Sequence, residues 1–196
     1  LLFPETTLSG TPMAEDSAGW VRTAGEFEIV GHKGSLTAVG RSGGLTGQPV
    51  DILVLDDLYK NAAEANSPLI RDAVWDWYLS VAETRLHNDS QELIVFTRWH
   101  EDDLIGRIEK AENVVELTSL KQLAGHDPDT WLKVNFEAIK ESAPTELDPR
   151  KQGEALWPER HNLKKLLRSR ALDPVAFDCT YQGHPATKEG LLYSDG

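Results

Sequence analysis

The sequence contains one cysteine, Cys179, and only 20 Lys and Arg against 32 Asp and Glu. A lone cysteine excludes an intrachain disulfide and fits a reducing compartment. With only six scattered histidines beside it, a zinc site is excluded as well. The net charge of -12 excludes a surface coated for tight non-specific binding to DNA or anionic lipid, so any nucleic-acid contact must be local. No apolar run approaches the ~20 residues of a membrane span, and Leu1-Leu2-Phe3-Pro4-Glu5 lacks the basic start of a secretory signal. A cytoplasmic chain is expected. There is also no initiator Met, and the sequence opens inside an apolar phrase, which suggests a piece of a longer protein.

What is present is enough for a packed domain: 196 residues, 40% of them hydrophobic. Residues 1–25 are rich in Gly, Pro, Thr and Ser and read as an irregular lead-in. Phe27 to Val30 is a short β-favouring run. It opens a stretch with glycines at 31, 34, 40, 43, 44 and 47, read either as a loop hugging something closely or as tight turns between short strands. Ile52-Leu53-Val54-Leu55 then forms a continuous apolar run ending in Asp56-Asp57, the pattern of a strand buried on both faces with carboxylates at its C-terminal end.

Ser67-Pro68 starts a helix that should run to about Leu86. Ile70, Val74, Trp77, Val81, Ala82 and Leu86 fall on one face, and Arg71, Asp72, Asp76, Ser80 and Glu83 on the other. Leu93 to Phe96 is a second buried strand, followed by Thr97-Arg98-Trp99-His100. Asp102 or Asp103 can cap a further helix through Leu104, Ile105, Ile108 and Ala111. Strand, helix, strand in this order is a β-α-β unit, whose strands are parallel. Ligands of parallel sheets bind at the C-terminal strand ends, so Asp56, Asp57 and Thr97 should converge there. Further on, Val114 to Leu117 and Val134 to Phe136 could each be strands, and Leu163 to Leu172 a short basic helix.

Two carboxylates after an apolar strand are how a nucleotide hydrolase presents a Walker B: one associates with Mg²⁺, the other orients the attacking water. A turn or a helix cap is the commoner use of such a pair. The phosphate-cradling G-x-x-x-x-G-K-[ST] loop does not occur in the sequence; Lys33 lies between His32 and Gly34, and Arg41-Ser42-Gly43-Gly44 has no lysine. His100 to Asp103 read better as a solvated helix cap than as metal ligands. Trp75, Trp77 and Tyr78 read as packing residues, and Lys164, Lys165, Arg168 and Arg170 as a charged helix surface.

Taken in order, Gly43-Gly44-Leu45-Thr46-Gly47, Asp51 to Asp57 with Lys60 and Ser67, Trp75-Asp76-Trp77-Tyr78, Thr84-Arg85-Leu86 and Thr97 to Arg107 strongly resemble the large subunit of tailed-phage and prophage terminases. Gly153 to Arg160, Tyr181-Gln182 and Glu189 to Tyr193 extend the likeness over about residues 20–193. The resemblance implies an α/β, RecA-like, additional-strand P-loop ATPase core with a mostly parallel sheet flanked by helices, here incomplete. It implies an ATP- and Mg²⁺-dependent motor in the host cytoplasm that moves double-stranded DNA, with the terminase small subunit and the portal as partners and homo-oligomers possible. By motif position Asp56 would be the Mg²⁺-associated carboxylate and Asp57 the catalytic one, with Thr97 and Arg98 in the coupling motif. Two positions depart from the family pattern: Asp57 stands where Glu is common, and Leu58 where Pro is common. The same likeness divides the chain into the lead-in, an ATPase part over 26–145 and, over 146–196, a subdomain leading toward a nuclease domain. It puts the P-loop before Leu1. Against this motor stand a non-catalytic prophage remnant or subunit-interaction domain, and a stand-alone Mg²⁺ phosphohydrolase built on Asp56-Asp57.

Overall fold

The computed structural model describes residues 23, 25–29, 31, 34–41, 43, 47 and 49–185. Most of the expected lead-in, Gly44, Lys33 and the Glu189 to Tyr193 phrase lie outside the described residues. The chain divides into two units, Leu1–Gln48 and Pro49–Gly196. In the first, β1 (Glu26–Glu28) pairs antiparallel with β2 (Ser35–Thr37). Gly31 and Gly34 between them have φ of 80° and 108°, a region closed to most side chains. Of the two readings of this stretch, tight turns between short strands holds here.

The second unit is a small mixed α/β assembly. β3 (Ile52–Asp56) leads into a short α1 (Ala62–Asn66) and α2 (Pro68–Trp77), then a π-helical turn (Tyr78–Ala82) and a 3₁₀ turn (Glu83–Arg85). β4 (Gln91–Val95) returns parallel to β3, with Ile52 opposite Gln91 and Asp56 opposite Val95. The β-α-β unit is therefore present. α3 (Leu104–Ala111) follows, and β5 (Asn113–Glu116) pairs parallel with β6 (Thr130–Lys133) in a separate two-stranded sheet. α4 (Leu163–Leu172) and α5 (Pro174–Tyr181) close the described part.

Three expectations need correction. β3 and β4 are covered on one face only: Leu53 and Leu55 are buried, whereas Ile52, Val54, Leu93 and Val95 are each half or more exposed. A continuous apolar run cannot by itself tell two covered faces from one. The strand expected at Val134 to Phe136 forms instead at Thr130–Lys133: its pairing with β5 ends at Glu116 opposite Lys133, with one further bond from the Leu117 N–H to the Lys133 carbonyl. Arg71 is buried rather than on the solvent face, for its guanidinium donates to the Ala65 carbonyl at 2.8 Å and to Asp102 at 3.2 Å. The inward stripe runs Arg71, Val74, Tyr78, Ala82. α5 escaped the periodicity, although Asp173-Pro174 repeats the Ser67-Pro68 start signature: Asp173 accepts from the Ala176 N–H, and Pro174 occupies the first turn.

Around β3, β4, α2 and α3 the core gathers Leu53, Leu55, Tyr59, Val74, Tyr78, Leu104 and Ile108. A second core of Ile139, Leu166 and Phe177 holds the C-terminal part. Gln182, fully buried, clips it by bonding Ile139 from both sides: its amide donates to the Ile139 carbonyl and its carbonyl accepts the Ile139 N–H, each at 2.9 Å. Cys179, buried on α5, donates to the Trp99 carbonyl at 3.7 Å and so joins this part to the segment after β4.

Glu92 occupies a core-facing position of β4, opposite Leu53. Burial, then the neighbouring Glu83 carboxylate, pushes its carboxyl up to about 7, although the Tyr78 hydroxyl donates to it at 3.3 Å. Folding thus holds a proton that the unfolded chain releases near an ordinary carboxylate pH. Stability from this group is full below that ordinary value and is lost as pH rises through about 7. His100, whose pKa is lowered by burial first, pulls the other way near neutrality. The comparison with a variant removes that contribution. Glu92→Gln is expected to be stabilised relative to the parent chain by an increasing margin from pH 5 to pH 8, read as a melting-temperature difference of a few degrees. A margin that stays flat across this range would show that Glu92 ionises normally.

Candidate functional site

The site lies where β3 and β4 end. Strand alternation puts Asp56 on the same face as Ile52 and Val54, at the last ladder position opposite Val95. It is exposed, and its carboxylate has no protein partner among the described residues. Asp57 follows in the left-handed region, φ 40°, the one described non-glycine residue with positive φ. Such a backbone costs on the order of 1 kcal/mol or more and persists only when its surroundings hold it.

Three hydrogen bonds hold it. The Asp57 N–H donates to the Val95 carbonyl at 3.0 Å, carrying the ladder one step past the strand. The Thr97 N–H donates to Asp57 Oδ1 at 2.7 Å, and the Thr97 hydroxyl donates to Oδ2 at 3.2 Å. One carboxylate therefore spans the two strand ends across 40 residues of sequence. The expected convergence of Asp57 and Thr97 is present, with Asp56 adjacent.

Arg98 is placed elsewhere. Its side chain is buried; Nε donates to Asp103 Oδ2 at 2.9 Å, and Nη1 lies 3.6 Å from Glu109. Among the described residues it makes no hydrogen bond or ion pair with Asp56, Asp57 or Thr97, and its backbone directly follows Thr97. Asp103 caps α3 by accepting the Gly106 N–H at 2.9 Å. The expected cap is present, but it is not solvated: Asp103 is fully buried, and burial pushes its carboxyl up against the pull of Arg98.

Asp102 is the hub of a second set of charges. Arg107 donates to both of its oxygens and also reaches Asp72, while Arg71 and Lys110 lie within ion-pair distance. The hydrogen bond from Arg107, more than any other contact, holds the Asp102 carboxyl down at about 2. His100 Nδ1 accepts the Asp102 N–H at 2.9 Å, which fixes the ring beside the cap. Sequence reasoning missed Arg71 and Gln182 as structural anchors, and missed that the Asp103 cap is buried. The signal available was chemical: a charged or amide side chain at a helix-core position needs a buried partner.

An exposed carboxylate at a strand end suits Mg²⁺, which takes one or two protein carboxylates and completes its shell with water and phosphate oxygens. No group of three or more His, Cys, Asp or Glu able to hold a metal occurs among the described residues. Asp56 is a single carboxylate at this edge and could supply one ligand to a cation. No helix among the described residues is long and apolar enough to cross a membrane. No protein-family model and no curated protein matches the chain.

Proposed function

We propose that this chain is part of a terminase large subunit, the ATP-driven motor that packages double-stranded viral DNA, and that it carries the Walker B and coupling segments. The observation that supports this most is the Asp57–Thr97 clamp at the C-terminal ends of two parallel strands, with Asp56 free beside it. In this reading β3 and β4 belong to a RecA-like sheet, and Asp56 would hold a Mg²⁺ ion, which would supply charge compensation for the nucleotide phosphates. Asp57 orients the attacking water through the lone pairs that Thr97 leaves open. Thr97 ties that carboxylate to β4, so a displacement of Asp57 is passed to Thr97 and along its backbone to α3. The phosphate-binding loop would come from sequence preceding Leu1. DNA, the small subunit and the portal would be partners of the intact protein.

The test is DNA-stimulated ATP hydrolysis by the protein that carries this segment together with a P-loop. Asp56→Ala is expected to lower the rate on the order of 10²-fold or more, the usual scale for removing a preorganised electrostatic contact. Thr97→Val, which removes one of the two clamp bonds, is expected to have a smaller effect. No DNA-stimulated hydrolysis, or an Asp56→Ala rate equal to the parent's, refutes the motor reading. A second reading, a non-catalytic domain kept for subunit contacts, is favoured by one observation: the uncovered apolar face of Ile52, Val54, Leu93 and Val95. An in-frame stop codon in the DNA just upstream of Leu1, in place of a P-loop, would support that reading instead.

A further inference from the structure

Two features of the second unit lie apart from the strand edge. One is a cavity of about 270 Å³ beside α4, with Phe136, Trp157 and Tyr181 as aromatic walls. The other is the point where α2 stops being an α-helix. At Tyr78 the chain widens into the π-helical turn Tyr78–Ala82, then tightens into the 3₁₀ turn Glu83–Arg85. Turns of these two kinds inside a helix often mark hinges or functional positions. This one is tied to the start of the strand pair. The Arg85 carbonyl accepts the Val50 N–H at 3.0 Å, and the Ser90 hydroxyl donates to the Val50 carbonyl at 2.6 Å.

Three carboxylates from three elements close on this turn. Glu92 comes from β4, with apolar Leu53 of β3 opposite it. Glu83 comes from the 3₁₀ turn, and Glu112 from the C-terminal cap of α3. Between them is Tyr78, fully buried, its ring stacked on Trp75 with centroids 5.8 Å apart. The Tyr78 hydroxyl donates to Glu92 Oε2 at 3.3 Å, and Glu83 competes for the same hydroxyl as an acceptor. Glu92 Oε1 is buried without a hydrogen-bond partner among the described residues. Glu112 is engaged from β6, where the Trp131 indole N–H donates to its Oε2 at 2.5 Å. The groups that act on Glu92 are thus Tyr78, Glu83 and Glu112, and no cation is among them.

Proton counting then decides the state of the turn. A phenolic hydroxyl has one proton to donate, and burial, more than any neighbour, keeps that proton on Tyr78. With Glu83 and Glu92 both ionised, one donor faces two anionic acceptors in a partly buried site, and Glu112 adds a third like charge. A proton on Glu92 removes one of these charges and supplies a second donor, so both carboxyl groups are served. Desolvation and like charge both favour keeping that proton while the turn is closed. Opened to water, Glu92 becomes an ordinary carboxyl and releases it.

We propose that Tyr78, Glu83 and Glu92 form a proton-operated latch: one proton on Glu92 holds the turn 78–85 against the start of β4, and loss of that proton to water frees the turn. The latch sits at the N-terminal end of the β3–β4 pair, whereas Asp56, Asp57 and Thr97 lie at the other end. It needs no nucleotide and does not rest on the ATPase reading.

The test is amide hydrogen exchange of the 196-residue chain from pH 5 to pH 8, corrected for the intrinsic rate of each amide. The turn is expected to be roughly tenfold or more less protected than β3 throughout, because it opens by itself. Its protection should fall by up to about tenfold per pH unit until about pH 7 and level off above, the dependence of an opening that releases one proton. Glu92→Gln, neutral at every pH and close in shape to the protonated side chain, should keep the turn protected and abolish the fall. Glu83→Gln, which removes the stronger of the two like charges, should make the fall smaller and end it at a lower pH. Four outcomes overturn the latch: a parent turn whose protection does not change with pH, the same fall in Glu92→Gln, a Glu83→Gln profile identical to the parent's, or a turn as strongly protected as β3, which would mean that it opens only when the whole unit unfolds.

Discussion

Asp103→Ala is expected to destabilise the protein by about 3–5 kcal/mol, the scale for breaking a buried ion pair from one side. The Asp103 side chain is fully buried, and Arg98 is bound to it at 2.9 Å with 9% of its own side chain exposed. Removing the carboxylate leaves a guanidinium that cannot deprotonate and, among the described residues, has Glu109 at 3.6 Å as its one remaining acidic partner. The same substitution removes the α3 cap on the Gly106 N–H, by itself about 1 kcal/mol. Against a total stability of roughly 5–15 kcal/mol, the loss is a large fraction. Urea denaturation should show the midpoint falling at unchanged slope. Asp103→Asn keeps a good cap but loses the charge and should fall between the two. Arg98→Met combined with Asp103→Asn removes both charges and should recover much of the loss. If Asp103→Ala costs under about 1 kcal/mol, the pair is solvent-exposed rather than buried. Because Thr97 immediately precedes Arg98, loosening this anchor should also loosen the Asp57 clamp.

Gly106→Ala should cost about 3 kcal/mol or more, although the same change in an ordinary helix interior gains about 1 kcal/mol. A Cβ at position 106 would sit 1.9 Å from the Glu101 carbonyl oxygen and 2.9 Å from its carbon. Both are backbone atoms of the loop that carries the cap, and they cannot retreat as the end of a flexible side chain could. The Gly106 N–H is also tied to Asp103 at 2.9 Å, so α3 cannot slide away without giving up its cap. Only a residue without a side chain lets the loop after β4 fold this closely over the first turn of α3. Thermal unfolding of the variant should show a markedly lower midpoint, and a stabilised Gly106→Ala would mean that the loop lies farther from the helix. Together these two variants test the junction that carries Thr97 from β4 to α3.

Much of the unit around this junction was legible in the sequence. Apolar runs marked β3 and β4, Ser67-Pro68 and Asp103 marked helix starts, and the β-α-β order made the strands parallel, so Asp57 and Thr97 were already set to meet. The basic stretch Leu163 to Leu172 was legible as a helix, yet not as the neighbour of an aromatic cavity. Periodicity failed at Arg71, where helical position pointed outward but the Ala65 carbonyl and Asp102 draw the guanidinium in. It failed also at Val134 to Phe136, where apolar residues continue past the last ladder bond.

The sequence by itself determined what depends on near neighbours: strand and helix starts, strand direction, the acidic pair at a strand end and the absence of a phosphate loop. Only the tertiary structure decided which side chains meet across long separations. It turned Arg98 into the α3 anchor, left Asp56 without a partner among the described residues, set Asp57 in a strained turn held by Thr97, covered one sheet face and left the other bare, and brought Phe136, Trp157 and Tyr181 around one cavity. The physical reason is that local propensity and pattern act over a few residues, whereas the burial of a charge or a ring is decided by partners that the fold brings from far along the chain.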